Sequence, residues 1–162
     1  MKQAAGILLY KHEAGKVKVL LVHPAGPLWA HKDKWLLTKG EVDDADEGHL
    51  EAAKREFEEE TGSPPPEGEY IDLGEAKGGS KLNHIWALEG DLDTNTFHCN
   101  TFTMEWPPKS GNIQEYPECD RAEWFDLPTA KQKLFKTQNV FIDRLAEHLG
   151  LGPVESPQTS LL

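Results

Sequence analysis

The chain has 162 residues, of which 38% are hydrophobic and 28% charged, and it carries a formal net charge of -11. This length and composition are typical of one globular domain. The acidic balance argues against tight, non-specific binding to duplex nucleic acid, which requires basic surfaces that neutralise phosphates. A ligand that carries phosphate remains compatible with it if metal ions supply the positive charge.

The N-terminal part of the sequence predicts strands followed by one helix. Residues 3–12 and 17–23 are largely apolar runs on either side of the turn sequence EAGK, which predicts a hairpin. The sequence WLLT at residues 35–38 is a short strand candidate. From about Asp46 to Thr61, apolar residues recur at three- and four-residue spacing, and Gly62 follows as a stop signal.

The C-terminal part predicts more strands and a second helix. Strands are expected at residues 70–73, 82–88, 96–106 and 121–127, with a loop at 107–113 and a helical pattern at 128–149. The order of strands, helix, strands and helix indicates an α+β fold in a single domain over residues 1–150. The Pro- and Ser-rich segment 151–162 is expected to be a disordered tail.

The cysteines and the N-terminus bear on the compartment. Cys99 and Cys119 are the two cysteines of the chain and show no CxxC spacing, so they are expected to be free thiols in a reducing environment. No apolar run approaches the ~20 residues that a membrane span needs, and the N-terminus does not resemble a signal peptide. We therefore predict a cytoplasmic protein that does not bind membranes.

The stretch KREFEEETG concentrates negative charge on the first predicted helix. Glu56, Glu59 and Glu60 recur at spacings of three and four and share one face, whereas Glu58 lies off that face. Carboxylates held this close repel one another unless a cation lies among them, and oxygen ligands favour Mg²⁺, Mn²⁺ or Ca²⁺. Arg55, four residues before Glu59, could orient a carboxylate. The alternative is a solvated acidic helix face without a ligand.

The segment from Gly40 to Ser63 resembles the Nudix box. That box reads Gly, five residues, Glu, seven residues, then Arg-Glu-aliphatic-any-Glu-Glu-any-Gly-aliphatic, and the sequence REFEEETG matches its core. The order of strands is also similar to the Nudix α/β/α sandwich, in which a mixed sheet lies between helices. The resemblance covers about residues 2–149.

The match to the Nudix box departs from the pattern at two positions. Six residues, not five, separate Gly40 from Glu47, so either the loop carries one extra residue or Asp46 takes the place of the glutamate. Ser63 stands where an aliphatic residue is usual.

The resemblance implies a hydrolase that cleaves a diphosphate linkage in a small nucleotide, with Mg²⁺ as cofactor and Mn²⁺ as a substitute. It implies Glu56 and Glu60 as metal ligands, Glu59 as a ligand or the general base, and Arg55 as the residue that orients the carboxylates. The backbone carbonyl of Lys39 or Gly40 is expected to complete the metal shell.

The family often uses one further acid from a later loop. Glu118, six residues before Trp124, resembles that acid and is expected to bind metal, with Glu115 as the competing candidate.

Aromatic and basic residues upstream of the box are candidates for binding substrate. Trp29 with Lys32 could stack a base and meet a phosphate, although such tryptophans equally suit a core or a sheet cap. Lys39 is the better phosphate candidate. Trp106, on the predicted loop that leads towards Glu118, could form another wall of the pocket or merely cover a hairpin end.

The branch of the family is indicated only broadly. The sequences WLLTKGE and ECDRAEWFDL resemble those of bacterial nucleoside triphosphate pyrophosphohydrolases and of diadenosine polyphosphate hydrolases. The alternative is a non-catalytic, nucleotide-binding Nudix module. Under both interpretations the protein is expected to be a monomer or a homodimer. A Ca²⁺-binding domain is disfavoured because VDDADEGHLE lacks the ligand register of an EF-hand. His84 is expected to be a strand residue and not a ligand.

Overall fold

The computed structural model describes residues 1–155 of the chain. These residues form, in order, the following helices and strands: β1 (Lys2–Glu13), β2 (Lys16–Pro24), β3 (Thr38–Glu41), α1 (His49–Thr61), β4 (Tyr70–Gly78), β5 (Lys81–Glu89), β6 (Thr101–Glu105), β7 (Ile113–Pro117), β8 (Cys119–Asp126), α2 (Leu127–Lys133) and α3 (Val140–His148).

The central sheet is mixed and runs in the order β4-β5-β1-β2-β8. Strand β1 pairs with β5 in parallel along one edge, whereas the other named pairings of this sheet are antiparallel. On its second edge β1 pairs with β3 through its first half and with β2 through its second half. Strands β6 and β7 form a separate hairpin. The predicted α+β class, with a mixed sheet between helices, is confirmed.

Helices cover both faces of this sheet, because alternate residues of β1, β2 and β5 point in opposite directions. Helix α1 packs Ala52, Ala53 and Phe57 against one face of the sheet. Helices α2 and α3 pack against the other, and Phe141 and Leu145 are fully buried there. Each face of the sheet therefore has its own hydrophobic cluster.

Glycine is required where α1 ends. Gly62 adopts the left-handed conformation, with φ of 80°, and its N–H donates to the carbonyl of Glu58 at 2.8 Å. A Cβ at this position would also lie 2.7 Å from the carbonyl oxygen of His98. Gly62 therefore both stops the helix and lets the later segment approach it.

Several elements differ from the sequence expectation. The third strand lies at Thr38–Glu41 rather than 35–38, because Trp35 and Leu36 form only isolated bridges. The strand expected at 96–106 is shorter, and β7 was not predicted. The single helix expected at 128–149 is two helices, separated by a link in which buried Gln138 accepts a hydrogen bond from Leu37 N–H at 3.0 Å.

The segment that follows α3 is partly packed onto the fold. Val154 is 9% exposed within the α2/α3 cluster, and its carbonyl accepts a hydrogen bond from Lys131 Nζ at 2.9 Å. The rest of the expected tail, residues 156–162, lies outside the described residues. Among residues 1–155, no helix is long and apolar enough to cross a membrane.

Truncation of Phe57 tests the packing of α1. We expect Phe57→Ala to lower the free energy of unfolding by about 3–5 kcal/mol, since the ring is fully buried and leaves a cavity. Chemical denaturation measures the change. Ile113→Ala is the control, because Ile113 is 66% exposed and its truncation should cost less than about 0.5 kcal/mol. Equal losses in the two variants would contradict this packing.

Candidate active site

Helix α1 projects three carboxylates, Glu56, Glu59 and Glu60, from the side that meets β3; we call them the carboxylate cluster. Glu60 is buried, the side chain of Glu56 is 13% exposed and that of Glu59 is 39% exposed. Glu58 points to solvent. The structure therefore places the three glutamates as their spacing predicts.

Strand β3 lies directly against the carboxylate cluster. The N–H of Lys39 donates to Glu60 Oε1 at 3.0 Å. Gly40 is opposite Ala5 on the α1 face of the sheet, and a Cβ on Gly40 would overlap the carboxylate of Glu56. Glycine at this position thus makes the room that the carboxylate of Glu56 occupies, while the role of the Gly40 carbonyl as a ligand stays a prediction.

Arg55 orients the carboxylates from the other side. Its Nε and Nη2 atoms donate to the two carboxylate oxygens of Asp46, each at 3.0 Å. Its Nη1 donates to Glu56 Oε2 at 2.6 Å and lies 3.4 Å from both oxygens of Glu59. The Asp46 side chain is 8% exposed, whereas Glu47 is exposed. Of the two alternatives for the box, the structure thus favours Asp46 in the place of the glutamate.

The loop that carries Glu118 is fixed to the end of α1. The N–H of Asn100 donates to the carbonyl of Glu59 at 3.0 Å, and the N–H of Glu118 donates to the carbonyl of Asn100 at 2.9 Å. The Glu118 carbonyl accepts a bond from Ala25 N–H at 3.0 Å. Glu118 thereby comes close enough to the cluster to interact with Glu59 and Glu60. Its competitor Glu115 is exposed on β7.

The cysteines are paired, so the expectation of free thiols is wrong. Cys99 and Cys119 form a disulfide between segments 20 residues apart in the chain, and both residues are buried. The Sγ atom of Cys119 lies 3.5 Å from the carbonyl oxygen of Glu60. The sequence gives no sign of the pairing, because it depends on β7 returning the chain to the end of α1. It also removes one ground for the cytoplasmic prediction.

The acidic groups disturb one another's protonation. Burial and the neighbouring Glu59 together raise the pKa of Glu56 to about 7, against the lowering effect of Arg55. Burial and then Glu56 raise the pKa of Glu60 well above its usual range. Partial burial and Glu59 raise the pKa of Glu118. Ionising the cluster is therefore costly unless a positive charge joins it.

Of the predicted substrate residues, Lys39 is near the cluster but its side chain lies on the other face of the sheet. Lys39 is opposite Gly6 in β1, whereas the adjacent Gly40 faces α1. Burial lowers the pKa of Lys39, as does Lys81, while Glu60 and Glu56 raise it. Lys81, at the start of β5, is a second basic residue in this region that sequence reasoning missed.

Trp29 and Lys32 are together, but they lie against the link between α2 and α3. Lys32 Nζ lies 4.8 Å from the centroid of the Trp29 ring, which meets the Phe135 ring edge-on at 5.2 Å. Trp35 is a core residue, 2% exposed. Among the contacts of residues 1–155, none joins Trp29 or Lys32 to the carboxylate cluster.

Trp106 directly follows strand β6 and is half-buried, and its backbone N–H donates to the carbonyl of Asn112 at 2.9 Å across the hairpin. The same hairpin reaches the loop after β2, since a Cβ on Gly26 would lie 3.2 Å from the Phe102 ring. The substrate contacts of Trp29, Lys32 and Trp106 remain predictions.

The carboxylate cluster fits a hard divalent cation. Its donors are carboxylate oxygens, the ligands that Mg²⁺ and Mn²⁺ prefer. Glu60 is buried with a raised pKa, so a divalent ion would relieve the cost of its charge. The last turn of α1, where Glu59 and Glu60 lie, contains no basic residue, and the helix dipole favours a cation there.

A comparison with protein families decides the identity of this arrangement. The model of the NUDIX domain matches residues 1–145 of the chain. The chain belongs to the Nudix hydrolase family. The predicted family is thereby confirmed.

Individual relatives of this Nudix hydrolase are distant. A C. elegans Ap4A hydrolase in a binary complex is 23% identical, with a TM-score of 0.62 and coverage of 93% of this chain and 98% of that one. The NUDIX domain of Shewanella oneidensis NrtR, complexed with ADP ribose, is 18% identical, with a TM-score of 0.61 and coverage of 92% and 88%. At these identities the two similarities show the fold.

A curated relative has a higher percentage identity over a shorter stretch. An octanoyltransferase from Myxococcus xanthus is 33% identical over 100 residues, which are 62% of this chain and 25% of that protein. The match thus covers a quarter of the relative's length.

The raised pKa of Glu56 predicts how stability depends on pH without divalent ions. The folded state holds a proton up to about pH 7 on a group that ionises near 4.5 when unfolded, so stability falls as pH rises between these values. In EDTA, we expect Glu56→Gln to flatten the fall in Tm between pH 5 and pH 8. Glu58→Gln is the control. An identical dependence of Tm on pH in the wild type, Glu56→Gln and Glu58→Gln would contradict the raised pKa of Glu56.

Proposed function

We propose that this Nudix hydrolase cleaves a diphosphate linkage in a small nucleotide and depends on Mg²⁺, with Mn²⁺ as a substitute. The observation that carries the proposal is the carboxylate cluster, held against β3 by the Lys39 N–H and by Arg55. An ion held there supplies charge neutralisation of phosphate oxygens and a lower pKa for bound water. The acidic surface makes duplex nucleic acid an unfavourable partner.

The roles of the carboxylates follow from their positions. Glu56 and Glu60, which are the more buried pair and border Gly40 and Lys39, would hold the metal, with Glu118 closing the site from its loop. Glu59 is more exposed and would either bind metal or take the proton from the attacking water. Arg55 would keep Glu56 and Glu59 in register through its bond to Asp46.

The reaction is hydrolysis of a phosphoric anhydride. The oxygen of water forms a bond to one phosphorus, the bond from that phosphorus to the bridging oxygen breaks, and the second phosphate leaves with the bridging oxygen. The proton of the water passes to a carboxylate of the site. Lys39 would contribute positive charge from the opposite face of β3, where its ammonium group interacts with Glu60 and Glu56.

Nucleoside triphosphates and diadenosine polyphosphates are the proposed substrates, in a monomer or homodimer. Support for the second class comes from the similarity in fold to an Ap4A hydrolase. The retained carboxylates disfavour a non-catalytic module, because a domain that only binds nucleotide has no need for such a costly cluster.

Activity of matched glutamate variants tests the proposal. With Mg²⁺ and a panel of triphosphates, diadenosine polyphosphates, ADP-ribose and nucleotide sugars, we expect Glu59→Gln and Glu60→Gln to lower kcat/KM at least ~100-fold. Glu58→Gln is the control and should retain turnover, since its side chain points to solvent. Product identification by mass spectrometry names the cleaved bond. Near wild-type turnover in the Glu59 and Glu60 variants would overturn the assignment.

A further inference from the structure

A second group of metal-binding side chains lies at the opposite end of α1. His49 is the first residue of the helix, and His84 and Glu75 face it from β5 and β4. One potential ligand atom from each of the three lies within 4.8 Å of the others. The Nδ1 atoms of the two histidines are 3.2 Å apart. We call His49, Glu75 and His84 the histidine cluster.

A β-bulge in β4 places Asp72 and Glu75 on the same face of the sheet as His84. Asp72 pairs with Trp86 and Glu75 pairs with His84, so three residues along β4 match two along β5. In a regular strand Asp72 and Glu75 would point to opposite faces, but the extra residue turns both towards α1. Gly74, in the bulge, has a φ of 81°, which suits glycine.

The Asp72 carboxylate fixes the orientation of the His84 ring. Its Oδ1 atom lies 2.7 Å from His84 Nε2 and also accepts the N–H of Gly74 at 2.8 Å. Because a carboxylate only accepts hydrogen bonds, Nε2 of His84 carries the proton. The lone pair of a neutral His84 is then on Nδ1, which points at His49. The Trp86 ring stacks on the His84 ring, with 3.8 Å between the ring centroids, and holds it in this position.

The spacing of the two histidines suits an ion between them. Two nitrogen ligands at about 2.0–2.1 Å from a tetrahedral Zn²⁺ lie about 3.3 Å apart, close to the 3.2 Å observed. The carboxylate on the far nitrogen of His84 is the arrangement commonly found behind a metal-bound histidine. A hydrogen bond between the histidines accounts for the short distance, but it leaves the presence of Glu75 and the bulge unexplained.

We propose that His49, Glu75 and His84 bind a borderline transition-metal ion such as Zn²⁺, with Asp72 as the residue that positions His84. Imidazole ligands suit Zn²⁺, Ni²⁺ or Co²⁺, whereas the oxygen donors of the carboxylate cluster suit Mg²⁺. His49 and Glu56 are seven residues apart, which is about 10 Å along the helix axis. The site is therefore separate in position and in chemistry from the carboxylate cluster.

Such an ion would join the first turn of α1 to the β4–β5 hairpin. The N-terminal cap of α1 is Gly48, which offers no side-chain hydrogen bond to the helix. The ion would fix this end of the helix to the sheet. It also balances the negative charges of Glu75 and Asp72, which face the helix together.

Cobalt binding to the full chain tests the site in the presence of millimolar Mg²⁺, which occupies oxygen-only sites. Tetrahedral Co²⁺ bound through imidazole absorbs visible light strongly, and octahedral Co²⁺ on carboxylates absorbs weakly. We expect one strongly absorbing Co²⁺ per chain, displaced by Zn²⁺. His84→Asn and His49→Asn should weaken binding at least ~100-fold, and Asp72→Asn by ~10–100-fold. Circular dichroism checks that each variant is folded.

Two further variants complete the experiment. Glu75→Gln, at an exposed position, removes the third ligand with little risk to folding and should weaken binding. His148→Asn is the matched control, because His148 is an exposed histidine at the end of α3. Absence of the strong absorption in the wild type, or its persistence in His49→Asn and His84→Asn, would overturn the proposal. Unchanged binding in Asp72→Asn would overturn the positioning role of Asp72.

Discussion

Repulsion among the carboxylates at the C-terminal end of α1 is the constraint on which this side of the molecule depends. The negative end of the helix dipole lies at the same place, so the helix itself adds to the cost of grouping negative charge there. The guanidinium of Arg55 compensates part of this negative charge. The buried carboxylate of Asp46 in turn fixes the position of Arg55. Asp46, which is not a member of the carboxylate cluster, therefore helps to hold the cluster in place through Arg55.

Sheet topology brings the necessary backbone to this helix. Along one edge, β1 pairs with β3 through its first half and with β2 through its second half. Strand β3 therefore lies beside α1. Neighbouring residues of β3 lie on opposite faces of the sheet. Gly40 leaves room for the carboxylate of Glu56 on the α1 face, and the side chain of Lys39 points to the α2/α3 face. A single strand thus borders the carboxylate cluster on one face and places positive charge on the other.

The sequence predicted best what depends on local spacing. The face shared by Glu56, Glu59 and Glu60, the core position of Phe57 and the stop at Gly62 all follow from helical periodicity within one segment. The class of the fold followed from the order of elements. A periodicity of this kind is a property of neighbouring residues, so no tertiary information is needed to recognise it.

Features that depend on distant pairing escaped prediction. Strand β7 has no apolar alternation and exists through its pairing with β6. The disulfide and the bulge in β4 likewise appear only when separate strands are in register. Trp29 packs on Phe135, a contact that the sequence could not indicate, since an aromatic ring in a loop carries no information about which surface covers it. His84 does lie in a strand, as expected.

The disulfide between Cys99 and Cys119 closes a ring of backbone that contains the whole β6–β7 hairpin. Just inside the bond, Asn100 connects this ring to α1 through the carbonyl of Glu59, and Glu118 is hydrogen-bonded to Asn100. The turn between Trp106 and Asn112 lies at the far end and is largely exposed. Because covalent closure fixes the base independently of the tip, this turn can accept changes in length or composition without displacing Glu118. The hairpin is thus an attractive position for grafting new recognition loops onto a catalytic scaffold.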